Sequence, residues 1–183
     1  MSAQAAIAII GGGLMGHGIA QVFARAGHAV RVHDPSPPIL ATLQERIRQN
    51  LSDLGQDPAA AERVSAHDRL ADCVAGAGFV FEAGPENLPL KQQIFASIEA
   101  AAPQEAILAS NTSVIPITQI MSGLARGERA LGTHWWNPPF LVPLVEVIRT
   151  PRTSDAAIRA MTELLKSAGK TPVTVEKLSL IHI

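Results

Sequence analysis

The chain has 183 residues, 47% of them hydrophobic and 17% charged, with fifteen basic residues set against sixteen acidic ones. That length suits one soluble domain with a substantial core and is short for two. Balanced charge offers no electrostatic reason to bind nucleic acid or a membrane surface, and the longest apolar runs are strand-sized, too short to span a bilayer. The start, Met1-Ser2-Ala3-Gln4, lacks a charged n-region and runs straight into a strand pattern, so it does not read as a signal peptide. A single cysteine, Cys73, excludes an internal disulfide; it lies in a helical pattern and reads as a buried structural thiol. These features suit the cytoplasm.

The elements alternate along the chain. Residues 5–10 are a continuous apolar run, as expected of a strand buried on both faces. Residues 14–26 carry Met15, Ile19, Val22, Phe23 and Ala26 at helical spacing, and Gly27 ends the helix. Residues 29–33 read as a second strand, 34–38 as a Pro-rich turn, 39–54 as a helix, and 56–68 as a polar connection with room for a short helix. Strands are expected at 78–83, 106–109, 129–134, 144–148 and 172–175, and helices at 88–101 and 154–168. Strands alternating with helices imply an α/β fold: a doubly wound, mostly parallel sheet with helices on both faces, because parallel neighbours need crossover connections.

The first strand ends in Gly11-Gly12-Gly13-Leu14-Met15-Gly16, a G-x-G-x-x-G run that directly opens a helix. In that setting Gly11 permits a tight turn, Gly13 lets the backbone approach a pyrophosphate, and Gly16 lets helix and strand pack closely. The helix start then offers free N–H groups and its dipole to phosphate. Asp34 ends the second strand, 23 positions after Gly11, where an acid accepts hydrogen bonds from the adenosine ribose of NAD and repels the extra phosphate of NADP. Read alone, it is a turn or helix-cap aspartate. Gly18 continues the small face of the helix and reads as packing.

Three further segments stand out: GPENLPLKQQIF at 84–95, SNTS at 110–113 and GTHWWNPPFLVPLVEVI at 132–148. His134, at a strand end, is the residue type that can accept a proton near neutral pH. Glu146 lies in an apolar strand, where an unpaired carboxylate is costly; a histidine partner accounts for it, and so does a half-exposed strand with Glu146 facing water. Glu86 and Asn87 read as a helix-start pair and Lys91 as a solvated helix charge.

Together the three segments resemble the 3-hydroxyacyl-CoA dehydrogenase family over residues 5–177. The spacings agree: 21 positions from Ser113 to His134 and 12 from His134 to Glu146. The resemblance implies an NAD-dependent oxidoreductase of fatty acid metabolism that interconverts L-3-hydroxyacyl-CoA and 3-oxoacyl-CoA. By that resemblance His134 is the base and Glu146 its orienting partner. Ser113 bonds the substrate oxygen beside the nicotinamide, and Asn137 holds the nicotinamide and the base. Gly11, Gly12, Gly13, Leu14, Met15, Gly16, Asp34, Glu86 and Lys91 meet the cofactor. No metal is implied. Trp135 and Trp136 replace other aromatics and read as packing at the crevice, with an acyl contact as a second role.

The chain also departs from the family. Pro143 stands where better-known members carry a lysine just before the Leu-Val-Glu segment. Residues 35–67 hold only Arg46, Arg48 and Arg63 as basic residues, where many members have a lysine-rich hairpin that binds CoA. NPPFLVPLVE also resembles relatives acting on free hydroxy acids, such as gulonate and carnitine dehydrogenases, and the crystallin relatives show that the fold serves without turnover. The family continues into a helical domain that closes the cleft and forms a homodimer; residues 1–177 are read as its NAD-binding part, expected to bind NADH yet barely turn over alone. Leu178 to Ile183 continue no element and match the translation of a transposase adapter end, so 178–183 are expected to be non-native.

Overall fold

In the first strand, β1 (Ala6–Ile10), alternate side chains enter two different cores: Ile7 and Ile9 join one, Ala8 and Ile10 the other. An apolar residue on both faces is what a central parallel strand requires. The computed structural model describes residues 6–176, so the expected non-native stretch 178–183 lies outside the described residues.

Helix α1 (Leu14–Arg25) follows, then β2 (Val30–His33), α2 (Pro37–Asp53), a short 3-10 helix Pro58–Arg63 and β3 (Val64–His67). The chain continues through α3 (Leu70–Val74), β4 (Ala77–Glu82), α4 (Leu88–Ala101), β5 (Ile107–Ser110) and α5 (Ile117–Ile120). It closes with β6 (Ala130–Trp135), β7 (Leu144–Ile148), α6 (Asp155–Ser167) and β8 (Thr171–Val175). The described strands form one sheet in the order β3-β2-β1-β4-β5-β6-β7-β8. Helices α1, α2 and α6 cover one face; α3, α4 and α5 cover the other. Phe23, Phe81 and Trp135 knit the first core, with ring centroids 5.1 Å apart for Phe23–Phe81 and 5.8 Å for Phe23–Trp135. Cys73 is fully buried in the second core, and burial pushes its thiol up to about 12.

Helix starts follow their local chemistry. Pro37 and Pro38 occupy the first turn of α2, where their missing N–H groups cost nothing, so the helix begins two residues before the expected position 39. Asn87 caps α4 by accepting from Leu90 N at 3.0 Å, and Ser154 caps α6 by accepting from Ala157 N at 3.1 Å.

One feature differs from expectation: the region 56–68 contains an edge strand, β3, which pairs parallel to β2. The sheet is mostly parallel, as expected; the antiparallel pair among the described strands is β6–β7. The connection 136–143 is too short for a crossover helix and can only turn the chain back. β8 then returns parallel to β7 through α6. The neighbours β1 and β4 are where the strand order reverses; crevices for ligands open at the carboxyl ends of such strands.

Candidate active site

The turn after β1 is built around close backbone approach. Gly11 has φ +106°, and a Cβ there would lie 2.7 Å from the Ala83 carbonyl oxygen; a Cβ on Gly16 would overlap the Gly11 carbonyl oxygen at 1.7 Å. Beyond Gly13 there is open space, with nothing within 4 Å of a Cβ placed on it. Gly13 is also the N-cap of α1 and has no side chain to satisfy the first-turn N–H groups. Asp34 anchors the turn: its Oδ2 accepts from Gly12 N at 2.8 Å and its Oδ1 from Ser36 N at 2.9 Å. Each oxygen keeps a lone pair for a further donor. Arg46 Nη2 donates to the Gly12 carbonyl at 2.9 Å from the other side. A cleft of about 550 Å³ lies against Gly11, Gly13, Leu14, Met15 and Asp34, and is otherwise almost wholly apolar.

A second cleft of about 370 Å³ adjoins it, since Met15, Ala83, Gly84 and Pro85 line both. Glu86, Ser113, His134, Trp136 and Asn137 line this second cleft, so the expected catalytic groups are gathered in one place. His134 and Glu146 are directly opposite on the antiparallel strands β6 and β7. His134 Nδ1 lies 2.7 Å from Glu146 Oε2. A carboxylate only accepts, so Nδ1 carries the hydrogen and Nε2 of the neutral ring is left basic. Trp136, 42% exposed, flanks the imidazole with centroids 5.1 Å apart, whereas Trp135 is buried in the core. Glu86 accepts from Ser113 N and Thr112 Oγ1, both at 2.7 Å, and so fixes the loop bearing Ser113.

Lys91 lies elsewhere than expected. It lines neither cleft and is 1% exposed. Its ammonium donates to Glu82 Oε1 at 2.7 Å and to the Gly84 carbonyl at 3.2 Å, holding the floor beneath the turn that carries Glu86. This burial corrects the reading of Lys91 as a solvated helix charge. Its partner Glu82, fully buried, escaped notice in the sequence; it also accepts from Gly84 N at 2.7 Å and Ser110 Oγ at 2.6 Å. The available signal was an acid inside the apolar run GFVFEA, nine positions before a lysine. Asn111 was missed too: it lines the second cleft, and its Oδ1 accepts from Trp135 N at 3.0 Å, tying the SNTS loop to β6. Gly18, expected to serve packing, sits under Pro139, 3.0 Å from where its Cβ would be.

Over residues 6–178 the sequence matches the family model described as 3-hydroxyacyl-CoA dehydrogenase, NAD binding domain. The chain belongs to the 3-hydroxyacyl-CoA dehydrogenase family. A 5-formyl-3-hydroxy-2-methylpyridine 4-carboxylate 5-dehydrogenase of Mesorhizobium japonicum is 36% identical over 180 residues, covering 93% of this chain and 57% of that protein. The mitochondrial hydroxyacyl-coenzyme A dehydrogenase of Rattus norvegicus is 37% identical over 181 residues, covering 92% and 58%. The crystal structure of 3-hydroxybutyryl-CoA dehydrogenase from Escherichia coli K12 superposes with a TM-score of 0.88 at 32% identity, covering 95% of this chain and 38% of that one. The chain spans little more than half the length of the curated relatives it matches.

The residues of this domain fit NAD. The uncapped N-terminus of α1 opens on space beyond Gly13, suited to a pyrophosphate, and the Asp34 carboxylate stands beside it at the end of β2.

Proposed function

We propose that the complete protein, of which this domain is the NAD-binding part, oxidises the secondary alcohol of an L-3-hydroxyacyl-CoA to the 3-oxoacyl-CoA and runs the reverse reduction. The observation that carries this is the His134–Glu146 pair at 2.7 Å, in a cleft that also holds Ser113 and Asn137 and is continuous with the cofactor cleft. His134 Nε2 takes the hydroxyl proton while Glu146 holds the ring in the required tautomer and offsets the imidazolium charge. Ser113 donates to the substrate oxygen, and Asn137 orients the nicotinamide side of the site. Gly11 to Gly16 and Asp34 hold the pyrophosphate and ribose; Glu86 positions Ser113, and Lys91 supports Glu86 from below. When bound, NAD accepts the hydride.

A second reading, a dehydrogenase of hydroxy acids not carried on CoA, is favoured by Pro143 in place of lysine and by the sparse basic residues of 35–67. The pyridine carboxylate dehydrogenase among the relatives bears a name without CoA. The deciding experiment follows NADH consumption by the complete gene product with acetoacetyl-CoA and free 3-oxo acids side by side. Faster turnover of acetoacetyl-CoA supports the first reading; turnover of free acids alone replaces it with the second. Turnover of neither, with NADH still bound, would mean a non-catalytic NAD-binding protein.

A further inference from the structure

The cofactor cleft has fifteen lining residues, and among these only two carry polar side chains, Asp34 and His33. Asp34 is committed to the glycine turn and to the ribose side of that turn. His33 has a separate arrangement. It ends β2 directly opposite His67 of the parallel edge strand β3. Its Nδ1 lies 3.0 Å from the His67 carbonyl oxygen.

That bond decides the tautomer. A carbonyl oxygen only accepts, so Nδ1 must carry the hydrogen, and Nε2 of the neutral ring is an acceptor. Among the described residues nothing bonds Nε2, and it is not among the buried polar atoms left without a partner. Nε2 is therefore an accessible, unengaged acceptor on a ring that lines the cleft. Around it the walls are aliphatic: Pro35, Ile39, Leu70, Leu90 and Ile94. Such walls suit the faces of a flat heterocycle, and a lone acceptor within them suits one donor on its edge. Adenine offers such a donor in its exocyclic amine.

We infer that His33 is a specificity-determining residue of the cofactor site, accepting a hydrogen bond through Nε2 from the exocyclic amine of adenine. The edge strand β3 serves the site by holding the imidazole in that tautomer. Asp34 reads the sugar and His33 reads the base.

The test titrates the chain with NADH and with reduced nicotinamide hypoxanthine dinucleotide, in which a carbonyl acceptor replaces the adenine amine. Binding is read by energy transfer from tryptophan to the reduced nicotinamide. The unaltered chain should bind NADH about tenfold more tightly, because two acceptors then face one another in the hypoxanthine complex. His33→Phe keeps an apolar wall and removes the acceptor; it should weaken NADH binding and bring the two dinucleotides to within about twofold of each other. His33→Gln supplies an acceptor near the Nε2 position and should retain part of the preference. Circular dichroism checks the fold of both variants. Equal affinities in the unaltered chain, a preference surviving in His33→Phe, or a loss in His33→Phe that is the same for both dinucleotides would each overturn the inference. Failure of the unaltered chain to bind either would overturn it together with the cofactor site itself.

Discussion

Glu82 at the carboxyl end of β4 and Glu146 in the middle of β7 each meet a nitrogen at 2.7 Å, yet their surroundings differ in kind. Glu82 is sealed: it is fully buried, and its oxygens are shared among an ammonium, a backbone N–H and a hydroxyl. Glu146 is 19% exposed in its side chain and has one strong partner, whose other nitrogen faces a cleft. A saturated pair has no valence left for chemistry and can only hold the β4–β5 edge in place. The unsaturated pair has low structural worth and a free basic nitrogen. Similar distances therefore separate a sealed support from a pair free to act on a ligand, according to what remains unbonded.

The comparison breaks most visibly at the reactive pair. In the complete protein, His134→Gln should lower turnover by about 10²–10⁴-fold, the usual worth of a general base. NADH affinity and the urea midpoint should stay close to the unaltered values. Near-native turnover would show that another group is the base.

At the sealed pair the large effect is on stability instead. Glu82→Ala strands the buried Lys91 ammonium, and equilibrium urea unfolding should show a loss of about 3–5 kcal/mol. The double variant Glu82→Leu/Lys91→Met should lose less than the two single variants combined, because no buried charge is left unpaired. By contrast Glu146→Ala should cost stability by about 1 kcal/mol or less. Equal losses at the two carboxylates would remove the distinction.

A smaller effect is expected at Asp34. Asp34→Ala frees the Gly12 and Ser36 N–H groups and removes the ribose acceptor, so NADH should bind about tenfold less tightly. The preference for NADH over NADPH should shrink in the same titration, since the like charge beside the added phosphate is gone. An unchanged preference would assign the discrimination elsewhere.

The smallest effect concerns His17. Its Nδ1 donates to the Gly13 carbonyl at 2.8 Å, and its Nε2 accepts from Asn50 Nδ2 at 3.2 Å. Burial, with a further contribution from Arg46 against the backbone bond to Gly13, holds its pKa below the ordinary 6.5. Protonation would turn the Nε2 acceptor into a donor facing the Asn50 amide. A folded-state pKa below the unfolded one means that the unfolded chain binds more protons below pH 6.5. The stability His17 contributes is thus present above 6.5 and is lost as pH falls through the folded value. Between about pH 7.5 and about pH 5, unfolding free energy should drop more in the unaltered chain than in His17→Gln. Parallel curves would show that His17 titrates alike in both states.

Much of the cofactor half was legible because its chemistry is local: strand, glycine turn and helix are contiguous, and Asp34 follows on the next strand. What escaped was set by distant chain. β3 is a short edge strand with Ser65 and Ala66 exposed, so its pattern mimics a polar connection. The reversal of β7 is invisible to periodicity, since a buried strand has the same pattern in either direction; only the short connection 136–143 betrays it. Lys91 reads as a solvent charge because neither its helix position nor its residue type reports Glu82 on the strand below. His134 and Glu146 stood out as a pair through family spacing, and their contact follows from the antiparallel register.

That register has a consequence for how sequences of this kind tolerate length changes. The two groups of the reactive pair sit on adjacent rungs of one ladder, while Asn137 and Trp136 belong to the arch that joins them. Residues added within 138–143 lengthen the arch and reshape the mouth of the cleft, leaving the rungs in step. One residue added inside β6 or β7 turns the side chains beyond it to the opposite face and separates His134 from Glu146. Insertions and deletions within the arch can therefore alter which molecules enter while leaving His134 and Glu146 paired.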